Sequence, residues 1–281
     1  LVFILTLVGA TFWLSFRRVL SEQDSTNQTD KQTATTTELA KSTEPIFSFA
    51  VIGDTEISSD PDSSKVFEAT TKEINTTDPA FLINTGDLTA HGTQSEFVNF
   101  DKIRQTLDIS LYPVIGNNDI ATDGSGKYFE SYFDKPYYSF DFEDVHFVML
   151  DNSSAFYGFD LAQRNWLKDD LILNDGKRLI LAMHRPVNLD LPLFRNVNEL
   201  STSNVSAFMD IIRPYQDKIE QIFTGHIHSF LEYKINKIIP VTVTGGGGAK
   251  PQFDFIKEDY HYLQVQVYAE RLEVKKISLG G

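Results

Sequence analysis

The chain contains no cysteine, so neither disulfides nor thiolate metal ligands are available to it. That absence leaves the compartment open, because export without disulfides is common in bacteria. Positive charge is also in short supply: 25 Lys and Arg stand against 39 Asp and Glu, a net charge of −14. With no Lys/Arg cluster, this balance argues against nucleic acid or an anionic lipid face as the main partner, and no nucleic-acid partner is expected. A phosphorylated small substrate is compatible with this balance, since bound metal ions add positive charge that a residue count omits. Histidine is scarce, with six residues at 91, 146, 184, 226, 228 and 261. No repeat of about 20 to 50 residues recurs, which argues against a solenoid.

What is present suits one large domain or two small ones: 281 residues, 41% of them apolar, enough for a full core. The first 45 residues differ from the rest. Leu1 to Phe16 is uncharged and almost wholly apolar, ending at Arg17-Arg18. It falls short of the ~20 residues that span a bilayer as a helix; the chain does not begin with Met, and upstream residues are expected to supply the remainder. A buried helix is the alternative, opposed by the lack of any polar face. Residues 1–20 are therefore read as a transmembrane segment or signal peptide. Residues 21–45, rich in Ser, Thr, Gln and Asn, cannot bury enough surface to offset ordering entropy and are read as a disordered tether. Residues 46–281 form the globular domain, expected to be membrane-anchored or secreted and to work outside the cytoplasm.

Within that domain a pattern recurs. Ile46 to Ile52 is an apolar run ending in Gly53-Asp54, and Phe81 to Asn84 is another, ending in Thr85-Gly86-Asp87. Leu111 to Ile115 runs into Gly116-Asn117-Asn118-Asp119. Helical spacing follows the first two, over Lys65 to Asn75 and Gln94 to Leu107. Strand, turn and helix units with Gly then Asp or Asn at the strand end predict an α/β layered fold with a site at the carboxyl edge of its sheet. Further on, Tyr137 to Phe142 and Val145 to Leu150 read as a hairpin and Leu161 to Leu173 as a helix. Arg178 to Met183 is a strand ending in His184-Arg185, Ser203 to Ile212 a helix, and Lys218 to Phe223 a strand reaching Gly225-His226-Ile227-His228. Four alternating segments after residue 230 read as antiparallel strands of a second sheet. An aromatic loop around Phe156, Tyr157 and Phe159 hints at a pocket lining, and Gly245 to Gly248 reads as a flexible turn near the site.

The strand ends gather Asp54, Glu56, Asp87, Asn117, His184, His226 and His228. These oxygen and imidazole donors are too many for one tetrahedral ion, and the set suits two adjacent Mn, Fe or Zn ions sharing a carboxylate. Taken singly, each has a plainer reading: Asp54 and Asp87 as turn residues, Asn117 and Asn118 as loop, His184 as a surface ring. His91, His146 and His261 are read as structural.

The ordered series Gly53-Asp54-Thr55-Glu56, Gly86-Asp87, Gly116-Asn117-Asn118-Asp119, His184 and Gly225-His226-Ile227-His228 resembles the calcineurin-like metallophosphoesterase superfamily, over about residues 46 to 230. The resemblance implies a four-layer αββα sandwich of two mixed sheets and a centre of two divalent or trivalent metal ions. In that pattern Asp54 and His228 hold one metal with Glu56 beside them, Asn117, His184 and His226 hold the other, and Asp87 bridges. A metal-bound hydroxide would attack phosphorus. Asn118 and Asp119 take the catalytic places of the third motif, and Asn117, Asn118 and Arg185 are candidate substrate contacts.

Two positions depart from the pattern. Glu56 stands where the first motif carries His, and Asn118 stands where the third carries the His that assists the leaving group. An amide donates a hydrogen bond but delivers no proton at neutral pH. Losing a general acid costs about 10²–10⁴-fold for a poor leaving group, so diesters, pyrophosphate bonds or activated monoesters are favoured over alkyl monoesters. The competing reading is a catalytically weakened metal-binding or regulatory module on the same fold.

Overall fold

A computed structural model describes residues 44–120, 124–155, 158–189, 202–251 and 260–279. The segments 1–20 and, up to residue 43, 21–45 lie outside the described residues, as do Phe156 and Tyr157. Among the described residues no helix is long and apolar enough to cross a membrane.

Two sheets form the centre. In the first, β1 (Phe47–Ile52), β2 (Phe81–Asn84) and β3 (Ser110–Pro113) run parallel. β10 (His261–Val267) pairs antiparallel with β1, and β11 (Leu272–Ser278) with β10. The second sheet has a parallel middle of β5 (Val145–Leu150), β6 (Arg178–Met183), β7 (Ile219–Thr224) and β9 (Ile239–Thr244). Antiparallel β4 (Tyr138–Phe142) and β8 (Phe230–Ile235) form its two edges.

The strands read as continuous apolar runs because both faces are covered. Successive side chains alternate between faces: Phe49 and Val51 of β1 meet Phe147 and Met149 of β5 between the sheets. Ala50 and Ile52 face outward onto Phe67 and Ile74 of α1 (Lys65–Thr77) and Phe97 and Phe100 of α2 (Gln94–Arg104). On the far side Val148 and Leu150 pack against Leu167 and Leu171 of α4 (Leu161–Leu173) and Phe208 and Ile212 of α5 (Thr202–Ile212). A shorter α3 (Lys127–Phe133) follows β3. This is the αββα sandwich. The inner layer is largely aromatic: Phe49 stacks on Phe81 at 5.1 Å and meets Phe147 edge-on at 5.4 Å. Truncating one such ring to Ala costs about 3–5 kcal/mol.

Helix starts follow local rules. Thr93 and Glu96 exchange hydrogen bonds as a capping box at α2, and Asp160 accepts from the Gln163 N–H at α4. α2 ends at Arg104, short of the expected Leu107, where the backbone tightens into Thr106 N–H to Ile103 O and Leu107 N–H to Arg104 O turns.

Two expectations are corrected. The four late strands do not complete one sheet: β8 and β9 extend the second, with β9 parallel to β7, while β10 and β11 extend the first. Period-two patterning marks a strand but does not encode which sheet edge receives it. Phe159 is a core residue, buried and stacked on Phe208 at 4.6 Å.

Candidate metal centre

The carboxyl ends of β1, β2, β3, β6 and β7 deliver Asp54, Asp87, Asn117, His184 and His226 to one place. Asp54, Glu56, Asp87 and His226 all have positive φ, at 58°, 43°, 51° and 69°. Non-glycine residues held there store about 1–3 kcal/mol each, and such strain clusters at functional sites. The backbone is pinned around them: Asp54 N–H donates to Gly86 O at 3.0 Å and Glu56 N–H to Asp87 O at 2.9 Å. Gly116 is required by close approach, since a Cβ there would collide with the backbone N and Oδ1 of Asp87.

Two ligand groups emerge, Asp87 with His184 and His226, and Asp54 with Asp87 and His228. In each, the donor atoms lie within 4.8 Å of one another. Asp87 belongs to both. His184 Nε2 lies 3.1 Å from Asn117 Oδ1, 3.3 Å from Asp87 Oδ2 and 3.3 Å from His226 Nδ1. His228 Nε2 lies 3.6 Å from Asp54 Oδ1 and 3.4 Å from Glu56 Oε1. Both Asp54 oxygens also accept from the His226 N–H, at 2.9 and 3.0 Å.

The donor set fits cations. His184 Nδ1 donates to Thr85 O at 2.9 Å and His228 Nδ1 to Lys250 O at 2.6 Å, so each ring turns its Nε2, the nitrogen left for a cation, toward the carboxylates. Burial above all, with the neighbouring Asp87 and Glu56 charges, pushes the Asp54 carboxyl up against the pull of His184 and His228, to about 7. Burial opposes charge on His184, but Asp87 and then Asp54 outweigh it and raise that imidazole to about 9. Burial also works against the Asp87 carboxylate, yet His184 and the Asn118 N–H hold it below its usual range.

Every expected ligand therefore lies around the site, and the residues expected to act on substrate take the following places. Asp119 is buried and turned away from the ligands. It accepts from the Leu88, Thr89 and Gly116 N–H groups and the Thr89 hydroxyl, at 2.9 to 3.1 Å, tying the second motif to the third. Arg185, a candidate substrate contact, is buried beside His226. Its Nε donates to Ser153 O at 3.1 Å and its Nη1 lies 2.9 Å from His226 Nε2, while Asn152 clamps its backbone through two 2.8 Å bonds. Asn118 binds within the site: its Oδ1 accepts from Asn117 and its Nδ2 donates to Glu56. The glycine run is no loose turn either. Gly247 N–H donates to Gly53 O and Ala249 N–H to Asp54 O, strapping it to the first motif.

Residues 47–230 match the profile of the calcineurin-like phosphoesterase family, and the chain belongs to that family. A probable glycerophosphodiester phosphodiesterase of Arcobacter nitrofigilis is 27% identical over 175 residues, covering 58% of this chain and 62% of that one. Purple acid phosphatase 23 of Arabidopsis thaliana is 28% identical over 165 residues, covering 51% and 35%. The chain thus spans less than two thirds of either relative. A dimetal phosphatase from Danio rerio shares the fold, with a TM-score of 0.61 at 15% identity over 83% of this chain and 96% of that one.

Proposed function

We propose that the chain is a metal-dependent phosphoric ester hydrolase acting on phosphodiesters, pyrophosphate bonds or activated monoesters in preference to alkyl monoesters. The observation that carries this reading is that Asp87 is shared by two groups of cation-ready donors. Bound there, Mn, Fe or Zn would neutralise phosphoryl charge and lower the pKa of a coordinated water. The chain's own residues do the rest. The buried Asp54, Asp87 and His184 hold fixed positions, and the partly exposed Glu56, Asn117, Asn118 and His228 form the open rim at which an ester would arrive. Asn118, an amide committed to Asn117 and Glu56, supplies no proton to a departing alkoxide, which favours leaving groups that depart unaided. The phosphodiesterase named among the relatives supports the diester preference.

The test is to purify the full chain, measure bound Mn, Fe and Zn, and assay bis-p-nitrophenyl phosphate and p-nitrophenyl phosphate with added Mn. Turnover lost in Asp87→Ala and His226→Ala supports the proposal. Bound metal with no turnover on any phosphoester favours the binding or regulatory module instead.

We also propose that the domain works outside the cytoplasm, anchored to a membrane or secreted, on the strength of the apolar residues 1–16 and the polar stretch behind them. Cell fractionation with external protease tests this, and recovery in the cytosol alone would overturn it.

A further inference from the structure

The two departures from the family pattern touch each other. Asn118 Nδ2 lies 3.0 Å from Glu56 Oε1, although 62 positions separate them in sequence. The contact continues on both sides. Asn117 Nδ2 donates to Asn118 Oδ1 at 2.8 Å, while Asn117 Oδ1 faces His184 Nε2 at 3.1 Å. Glu56 Oε1 in turn lies 3.4 Å from His228 Nε2. A line of polar groups therefore joins the two ligand groups by a route that avoids Asp87: His184, Asn117, Asn118, Glu56, His228.

An amide suits the middle place because it accepts at one end and donates at the other. A carboxylate there would repel Glu56, and an aliphatic side chain would leave Asn117 and Glu56 without their partner. Glu56 has a flexible stem and a positive φ of 43°, so its carboxylate needs an outside constraint to stay beside His228. The Asn118 amide supplies a hydrogen bond to it.

We infer that Asn118 is a positioning residue that orients Glu56 as the carboxylate ligand of the Asp54 and His228 site, and that the two substitutions work as one unit. This makes the first site richer in carboxylate than the second: Asp54, Asp87 and Glu56 with one imidazole, against Asp87 and Asn117 with two. A site so composed favours Mn(II) over softer ions. The inference rests on the two-metal reading above and deepens it.

The test is a double-mutant cycle on metal affinity in the full chain, kept in mild detergent to accommodate its apolar first residues. Mn(II) binding is followed by calorimetry and electron paramagnetic resonance for the unmodified chain, Asn118→Ala, Glu56→His and the double variant. Loss of a neighbour that orients a ligand weakens metal binding by about 10–100-fold. With Glu56 in place, Asn118→Ala is expected to lower affinity at one of two sites by about that factor. Made on top of Glu56→His, the same change is expected to cost less than about threefold, because the carboxylate it orients is gone. Asn118→Ser, polar but too short to reach Glu56, should match the Ala variant, and circular dichroism without metal checks that each variant is folded. Two bound ions with additive substitutions, within about twofold, would overturn the coupling and leave the metal centre standing. An unmodified chain that binds no Mn(II), Fe or Zn would sink both.

Discussion

His184 donates through Nδ1 to the backbone carbonyl of Thr85 at 2.9 Å, and that bond decides which nitrogen is left for a cation. Nε2 then sits among Asp87, Asn117 and His226. In the cation-free site the imidazole, raised to about 9, carries a proton at neutral pH, and Asp54, raised to about 7, is about half protonated there. Ligands must lose these protons to bind metal. Loading at pH 7 is therefore expected to release about one proton from His184 and a further fraction from Asp54. Calorimetric titration with Mn(II) in buffers of different ionisation enthalpy reads this number directly, and affinity should rise steadily from pH 6 to pH 9. A flat profile would show that the protons are not where these charges put them.

Asp119 supports the site from beneath. Its carboxylate gathers four donors from two loops, and Asp119→Asn would aim an NH₂ group at two of them. A buried donor left unpaired costs about 1–3 kcal/mol, so urea unfolding should show a loss of about 2–4 kcal/mol. The same loops carry Asp87 and Asn118, and a misplacement of about 1 Å costs about 10²-fold in rate. A variant with full stability and full turnover would show that the two loops hold their places without this residue.

His146 is a structural histidine with a pH signature. It lies buried on β5, with Nδ1 2.7 Å from Asp141 and Nε2 2.8 Å from Asp170, and Lys177 shares Asp141. Burial opposes its charge, but the bonds to Asp170 and Asp141 prevail and raise its pKa above 6.5. A raised imidazole stabilises most below its unfolded pKa, and that share fades as pH climbs through the folded value. His146→Gln keeps hydrogen bonding without charge, so its stability deficit should be about 1–2 kcal/mol larger at pH 6 than at pH 9. Comparing the variant with the unmodified chain at each pH cancels the titration of His184. An equal deficit at both pH values would mean that His146 stays neutral.

Much of this was legible in the chain itself, for identifiable reasons. Strands buried on both faces announce themselves as apolar runs, and glycine before Asp54, Asp87, Asn117 and His226 marks where the backbone turns a side chain into the site. Side-chain direction was not legible: Asp119 follows Asn118 directly, yet the turn points it into the scaffold. Arg185 reads as a candidate substrate contact from its place beside His184, and nothing in its sequence neighbourhood announces that Asn152 clamps it. The carbonyls of Thr85 and Lys250 fix two imidazoles, and a backbone acceptor leaves no trace in residue identity. Nor does the contact between Asn118 and Glu56, which exists only once β1 and β3 lie on either side of β2.

The state of Asn118 sets how turnover should respond to the leaving group. Its Oδ1 is taken by Asn117 and one Nδ2 hydrogen by Glu56, and the hydrogen that remains is an amide proton, not an acid. The departing oxygen must therefore carry its own negative charge in the transition state. Across a series of aryl methyl phosphodiesters, kcat/KM should fall steeply as the leaving phenol becomes less acidic, with an alkyl ester slower by the roughly 10²–10⁴-fold that general-acid catalysis is worth. Asn118→His would place a proton donor at the rim, and the slope should flatten mainly through gains on the poorest leaving groups. Since the same change removes the constraint on Glu56, the comparison belongs at saturating Mn(II), where lost affinity is masked and the slope reports protonation alone. A shallow slope in the unmodified chain would mean that another group, such as Glu56 or His228 at the rim, already protonates the leaving oxygen.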